Sequence, residues 1–441
     1  MRAGKSTINY GWYVMAAAFA ILFVNAGIRL MAGVFEKPMV AEFGWTRGEF
    51  SAVIFLSTAV FAVAIAVAGR LYDRFGASRV VFFSSLLFSG GLVLTSTMTG
   101  LWQFVLFYGL ICGAGLGGLS SPIFGAIVSH WFVRARGTAV SVTMSGTSLG
   151  QFALVPLFTR FYLHEGWRST LLWMGVLGFA VNTVLVVLVL RGDPEDLGGE
   201  PFGAAEPDAS SDAPSAALPG ARAEPRSLTL REAMRTWSFW LFTVAMFVCG
   251  AGDFLLTTHL VAMATDHGVP TSTAVAMLAW FGLLSLGGIL LAGPASDLVG
   301  NKIPIAASFA VRVVVFSLVV RSQAPWALWT LALGFGFTFL ITAPLSTTLT
   351  GRMYGFGNIG LISGFITTIH HLGGGLWAYL GGVVFDATGA YTAIMAVSAV
   401  ASAVALVCTL FIKEVRHLPP EEVEEPGSDG VRVACVEAGI Q

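Results

Sequence analysis

Ionisable side chains are scarce in the apolar stretches of this chain, so each one found there is a candidate for chemistry. Arg29 stands inside FVNAGIRL (Phe23 to Leu30) and Asp253 inside FVCGAGDF (Phe247 to Phe254). His259 follows Asp253, His370 and His371 are neighbours in a later stretch, and Arg312 is isolated between them. A guanidinium at such depth can hold an anion, a carboxylate can hold a proton, and an imidazole can titrate near neutral pH. Arg29 is the candidate for holding an anion, with Asn25, Tyr108 and His371 as candidate ligand contacts beside it. Asp253, His371 and His259 are the candidates for proton coupling. If Arg29 and Asp253 face each other, substrate bound at Arg29 would free Asp253 to take up a proton, because losing a nearby cation raises a carboxylate's proton affinity. The same two residues could equally be a structural pair closing a cavity. Arg312 is read as a substitute anion contact, as half of a buried pair or as a snorkelling side chain. His370 points about 100° away from His371 on a helix, so the two do not form a metal site, and no metal or other cofactor is expected.

The elements that position these residues follow from composition. The chain has 441 residues, 56% of them hydrophobic and 11% charged, with a mean hydropathy of +0.78. A soluble domain carries about 25% charged residues, so this is a polytopic membrane protein. Apolar runs long enough to cross a bilayer core of about 30 Å can be counted twelve times, in two sets of six. Four units result: residues 1–191, a linker with a short surface helix at 192–236, a second helical set at 237–413, and a tail at 414–441. The linker is rich in Pro, Ala, Gly, Ser and acid, a composition that does not build a core. At its end Thr229 and Glu232 have capping-box spacing, predicting a helix from Leu230 to Thr236.

The two sets repeat each other. At one constant offset Phe23 and Val24 fall on Phe247 and Val248, Arg29 on Asp253, and Gly150 on Gly374. Gly69, Asp73 and Gly76 of GRLYDRFG fall on Gly293, Asp297 and Gly300 of GPASDLVG. Gly166 falls close to Gly389. Lys and Arg crowd one side, with Arg70, Arg74, Arg79, Arg134, Arg136 and Arg191 set against Lys37, Arg47, Arg160, Arg168 and Arg321 in the loops of the other. The positive-inside rule then puts both termini in the cytoplasm. The first span is expected to serve as an uncleaved signal. Short outer loops without an N-x-S/T site point to a bacterial inner membrane. The spacing of Cys112, Cys249, Cys408 and Cys435 supports neither a disulfide framework nor zinc.

The G-x-x-x-D-R-x-G loop from Gly69 to Gly76, followed by Arg79, closely resembles the second-to-third-helix motif of the major facilitator superfamily. Its Gly69, Asp73, Arg74 and Gly76, with Asp297 in the second copy, are read as a gating loop. Glycines let helix ends approach there, and an Asp beside an Arg can hold a charge latch. Leu298 replaces the Arg in the second copy, weakening that side. Tyr10-Gly11-Trp12, the segment HWFVRARGTAVSVTMSG (His130 to Gly146) and HHLGGGLWAYLGGVVFDATGAY (His370 to Tyr391) resemble bacterial relatives of the monocarboxylate transporter family. The resemblance implies an all-α fold of twelve transmembrane helices in two pseudo-symmetric six-helix bundles, with helices one, four, seven and ten facing a central cavity. It implies secondary active transport of small organic anions by alternating access, coupled to protons. Arg29 lies where that family places a substrate-linked Lys, whereas its eighth-helix Arg has no counterpart in LLSLGGILLAGPASD. That departure leaves open an exporter of drug-like or neutral metabolites on the same fold. A membrane sensor that binds ligand without flux is the other alternative. No Walker A lysine motif or nucleophile constellation occurs, so neither ATP-driven transport nor an enzyme is expected. The expected partners are a small carboxylate, a proton and the bilayer, with no nucleic acid.

Overall fold

The computed structural model describes residues 9–132, 136–190, 202, 228–355 and 358–413, without the side chains of Arg136 and Asp297. Most of the linker and the whole tail after Lys413 lie outside the described residues. Among the described residues eleven helices are long and apolar enough to cross a membrane. One of them, Arg136–Leu188, is two helices joined at Gly166, whose φ of 80° and ψ of 168° turn the chain. Twelve crossings result.

These are α1 (Gly11–Phe43), α2 (Arg47–Phe75), α3 (Ala77–Ser96), α4 (Leu101–Trp131), α5 (136–165), α6 (167–188), α7 (Trp237–Asp266), α8 (Thr271–Val299), α9 (Lys302–Arg321), α10 (Pro325–Tyr354), α11 (Ile359–Thr388) and α12 (Thr392–Phe411). A capping box starts α2, with the Thr46 hydroxyl accepting from the Glu49 N–H and the Glu49 carboxylate from the Thr46 N–H. The Thr229–Glu232 box also forms, but its helix is a single turn, Leu230–Ala233. Gly76 and Gly300, repeat partners, end α2 and α8 with the same backbone, φ 79° and 83°, which a side chain would strain. Gly166 and Gly389 are not equivalent: Gly389 is a left-handed cap with ψ 7°, so that part of the repeat does not hold.

Glycine sets the closeness of the helices within each half, in a membrane where packing rather than hydrophobicity drives association. A Cβ at Gly150 of α5 would overlap the Phe23 carbonyl of α1, and one at Gly373 of α11 would stand 2.6 Å from the Phe247 carbonyl of α7. Thus α1 pairs with α5 as α7 pairs with α11. Tyr10-Gly11-Trp12 fastens the start of α1: the Tyr10 hydroxyl donates to the Val189 carbonyl (2.9 Å), and its ring meets Trp131 at 5.2 Å.

The halves meet along α2–α11, α5–α8 and α1–α7. Gln151 of α5 donates to the Leu278 carbonyl of α8 (2.8 Å), and Ser148 bonds Ser285 (2.9 Å). Along α11, Gly382 and Gly375 lie against Arg47, Ser51, Phe55 and Thr58 of α2, whereas Gly364 and Gly360 have nothing within 4 Å. Beyond Phe61, Ala66 and Asp73, on the same face of α2 as Ser51 and Phe55, and Leu361 of α11 are exposed. The seam is closed from the Arg47 end to mid-depth and parts toward the Arg74 end.

Candidate functional site

Where the seam parts, Arg29 sits between the halves near the end of the first segment of α1. Its guanidinium carbon stands 5.2 Å from the ring centroid of Phe61 (α2) and 5.3 Å from that of Phe254 (α7). It has no carboxylate partner and no hydrogen bond among the described residues. His371 of α11 lies against the same two rings, at 4.9 Å from Phe61 and 5.8 Å from Phe254. Four helices from both halves therefore converge on one cation and one imidazole. His371 Nδ1 faces the Thr367 carbonyl at 2.8 Å. A carbonyl only accepts, so the neutral ring carries its proton on Nδ1 and keeps the Nε2 lone pair free. Tyr108, in a π-helical turn of α4 (Val105–Cys112), is near enough to Arg29 to interact electrostatically.

The expected Arg29–Asp253 pair is not formed. Asp253 belongs to Arg312 of α9, whose Nη2 lies 3.0 Å from Asp253 Oδ1 without the alignment of a hydrogen bond. Arg312 is 1% exposed. It also donates to the Cys249 carbonyl (3.1 Å) and the Thr338 carbonyl (3.3 Å), and stacks on Phe335 at 4.2 Å. It is the buried-pair reading of Arg312, not the anion-contact one, that its surroundings match. The second Asp253 oxygen is 3.2 Å from His370 Nε2. Equivalent positions in a repeat thus carry opposite charges but not facing ones, because each half closes its own core. Cys249, Asp253 and His370 offer atoms within 4.8 Å of one another, the reach of a metal ion, but Arg312 already brings a cation to that carboxylate.

Asn25 departs from its expected role. Its amide donates to the Ile21 carbonyl (2.7 Å) and to Asn182 Oδ1 (3.1 Å), and Asn182 donates to Ser85 (2.9 Å). All of these belong to the first half, so Asn25 packs α1 against α3 and α6 instead of lining the seam. Of the gating loop, Asp73 and Arg74 are exposed and Asp73 has no ion pair among the described residues. Among the described residues the Asp73 side of the expected charge latch is not formed, and the side chain of Asp297 lies outside them.

A latch exists at the opposite end, and sequence reading missed it. Arg47 Nη1 and Nη2 bond the two Asp266 oxygens at 2.6 and 2.9 Å, Lys37 Nζ reaches Asp266 at 2.8 Å, and the N–H groups of Arg47 and Gly48 donate to Asp386. Arg47 also donates to the Tyr391 hydroxyl (2.7 Å) and stacks over Phe385 at 3.6 Å. Behind them His259 contacts Glu36, both fully buried. Lys37 and Arg47 looked like ordinary loop charges because their partner Asp266 lies in the other half.

A two-half bundle of twelve crossings, closed at one end and organised round a central cation, has the architecture of a membrane transporter. The sequence profile described as the Major Facilitator Superfamily matches residues 17–378 and 242–437, and the chain belongs to that superfamily. It is 28% identical over 399 residues to "Monocarboxylate transporter 13" of Bos taurus, covering 89% of this chain and 87% of that protein. It is 25% identical over 406 residues to "Uncharacterized MFS-type transporter YcxA" of Bacillus subtilis (strain 168), covering 88% and 91%. Among solved structures, a bacterial homolog to the human lysosomal transporter Spinster, inward-facing and occupied, matches with a TM-score of 0.65 at 15% identity, covering 92% and 95%. That likeness shows the fold. Family and relatives are transporters, not enzymes.

Proposed function

We propose that this transporter moves small organic anions of the monocarboxylate kind by alternating access, coupled to protons, with Arg29 as the anion anchor. The observation that carries the reading is a guanidinium between the halves with aromatic faces and, among the described residues, no carboxylate beside it. A central arginine costs about 3 kcal/mol on insertion scales, and each cation–π contact returns about 0.5–2 kcal/mol. A substrate carboxylate adds a charge-assisted, bidentate bond that the resting site lacks. His371, with its free Nε2, stands on the same two rings, placed to accept a proton beside the bound anion. Asp253 and His370 form a second proton-handling pair that acts inside the second half rather than on Arg29. The names of the monocarboxylate transporter relatives agree with this substrate class. On the distribution of Lys and Arg, the Arg74 face is cytoplasmic and both termini lie on that side, and the short outer loops without an N-x-S/T site support the inner membrane of a bacterium.

The test is uptake of labelled small carboxylates into proteoliposomes under an inward proton gradient, with Arg29→Ala and Arg29→Lys in parallel. Gradient-dependent uptake that is lost in the alanine variant and partly kept in the lysine variant is expected. Folded protein that neither takes up nor binds any carboxylate would overturn the reading in favour of an exporter of neutral compounds.

A further inference from the structure

The closed end of the seam holds a group of charges that sequence reading left unconnected. Glu36 of α1 and His259 of α7 belong to different halves, and both are 0% exposed. His259 Nδ1 lies 3.0 Å from each Glu36 oxygen, and its Nε2 lies 2.7 Å from the Ala378 carbonyl of α11. Gly381 leaves the ring its place: a Cβ there would stand 3.0 Å from His259 Cδ2.

The hydrogen-bond inventory of this arrangement does not balance for a neutral histidine beside an ionised glutamate. A carbonyl accepts only, so Nε2 must carry a proton. Neutral imidazole then presents a lone pair at Nδ1, and an ionised carboxylate presents only lone pairs to it. Two acceptors at 3.0 Å without a proton between them, in a site without exposed surface, repel and stay unsatisfied. The Tyr391 hydroxyl, 3.2 Å from Nδ1, can donate to the ring, but it does not remove the carboxylate from Nδ1. One proton more than a neutral histidine and a free carboxylate supply must sit on the pair.

The surrounding charges give the same count. The groups facing the pair are Lys37 of α1, Arg47 of α2, Asp266 of α7, Asp386 of α11 and the Tyr391 hydroxyl beside α12. Two cations stand against the three carboxylates Glu36, Asp266 and Asp386. The excess is one negative charge, and one proton on the Glu36–His259 pair cancels it. When the seam opens, Glu36 leaves with α1, and His259 loses the partner that holds the proton.

We infer that closing this end of the transporter loads one proton on the Glu36–His259 pair, making the pair a proton-binding site whose occupancy is set by the conformation of the seam. It rests on the transport reading only for the direction of proton flow, because the linkage itself requires no substrate. Bound protons favour the state that binds them, so the closed state is most populated at low pH and is lost as pH rises.

The experiment measures the seam directly. The full chain, with Cys408 and Cys435 replaced by Ser, carries spin labels at Thr97→Cys and Arg321→Cys, at the closed ends of the two halves. It is placed in lipid nanodiscs, and the distance distribution is recorded from about pH 5 to about pH 9. The closed-to-open ratio of the otherwise unaltered protein is expected to fall by up to about tenfold per pH unit across its transition, the slope of one proton. Glu36→Gln should flatten that dependence, because the Gln amide can donate to Nδ1 of a neutral His259. His259→Gln should flatten it as well, and Arg29→Ala should leave it intact. A pH-independent ratio in the unaltered protein would overturn the inference even if neither variant folds. An unchanged slope in Glu36→Gln would overturn it too. A normal slope in a protein that transports no carboxylate would leave this inference standing and remove only the anion reading.

Discussion

Asp253 of α7 and Arg312 of α9 are paired inside the second half, Nη2 to Oδ1 at 3.0 Å, where Asp253 is 4% and Arg312 1% exposed. The pair joins α7 to α9 and, through Thr338, to α10. Removing one partner of a buried pair leaves the other uncompensated, at a cost of about 3–5 kcal/mol. Asp253→Ala is therefore expected to lower the unfolding temperature of the purified protein sharply. Asp253→Asn with Arg312→Gln should recover most of the loss. Thermal unfolding in detergent of the single and double variants checks this, and equal losses in both would contradict the pairing as a stabilising contact.

The glycine contacts divide α11 into a packed and an open part. Gly375→Leu should hinder closure or folding, since even a Cβ there meets Phe55 Cδ2 at 2.7 Å, and overpacking costs about 1–3 kcal/mol. Gly364→Ala, with nothing within 4 Å, should leave the unfolding temperature unchanged. A loss from Gly364→Ala equal to that from Gly375→Leu would show that the seam does not part where the structure parts it.

Arg47 holds the closed end through Asp266, Tyr391 and the face of Phe385. Its replacement by Gln removes a charge-assisted bidentate contact between the halves, for which about 2 kcal/mol is a fair magnitude. The variant should open that end more often. Thr58→Cys, at a buried position in the seam, then reacts with an impermeant maleimide roughly thirtyfold faster in Arg47→Gln than without it. No change in rate would mean that Arg47 does not bear on closure.

His371 offers its Nε2 to whatever binds at Arg29. His371→Phe keeps an aromatic ring against Phe61 and Phe254 but removes that acceptor. If His371 touches substrate, KM for the transported anion should rise about tenfold, the value of one modest hydrogen bond. Uptake assays across substrate concentration read this, and an unchanged KM would confine His371 to packing.

The fold was largely legible in the residues, for a physical reason. Crossing a bilayer demands long apolar runs with internal hydrogen bonding, and turns between crossings demand glycines such as Gly76 and Gly300. Both demands are local, so they leave marks in sequence. A repeated segment such as FVNAGIRL and FVCGAGDF betrays the two halves for the same reason. Arg29 stood out because a lone charge in an apolar run is costly wherever it ends up.

Which charge faces which was not local. Arg29 and Asp253 occupy equivalent places, yet only the packing of α7 on α9 and α10 decided that Asp253 meets Arg312. Asn25 looked like a cavity residue until Asn182 and Ser85, far along the chain, took up its amide. Arg47, Asp266, Asp386 and Tyr391 are unremarkable at helix ends, and their meaning, like that of Glu36 inside α1, comes from the closing of two halves on each other. Sequence determined that the protein spans the membrane in two related bundles with a cation inside an apolar run. Tertiary structure decided the partners of each charge, because those contacts join residues whose separation along the chain leaves no pattern to read.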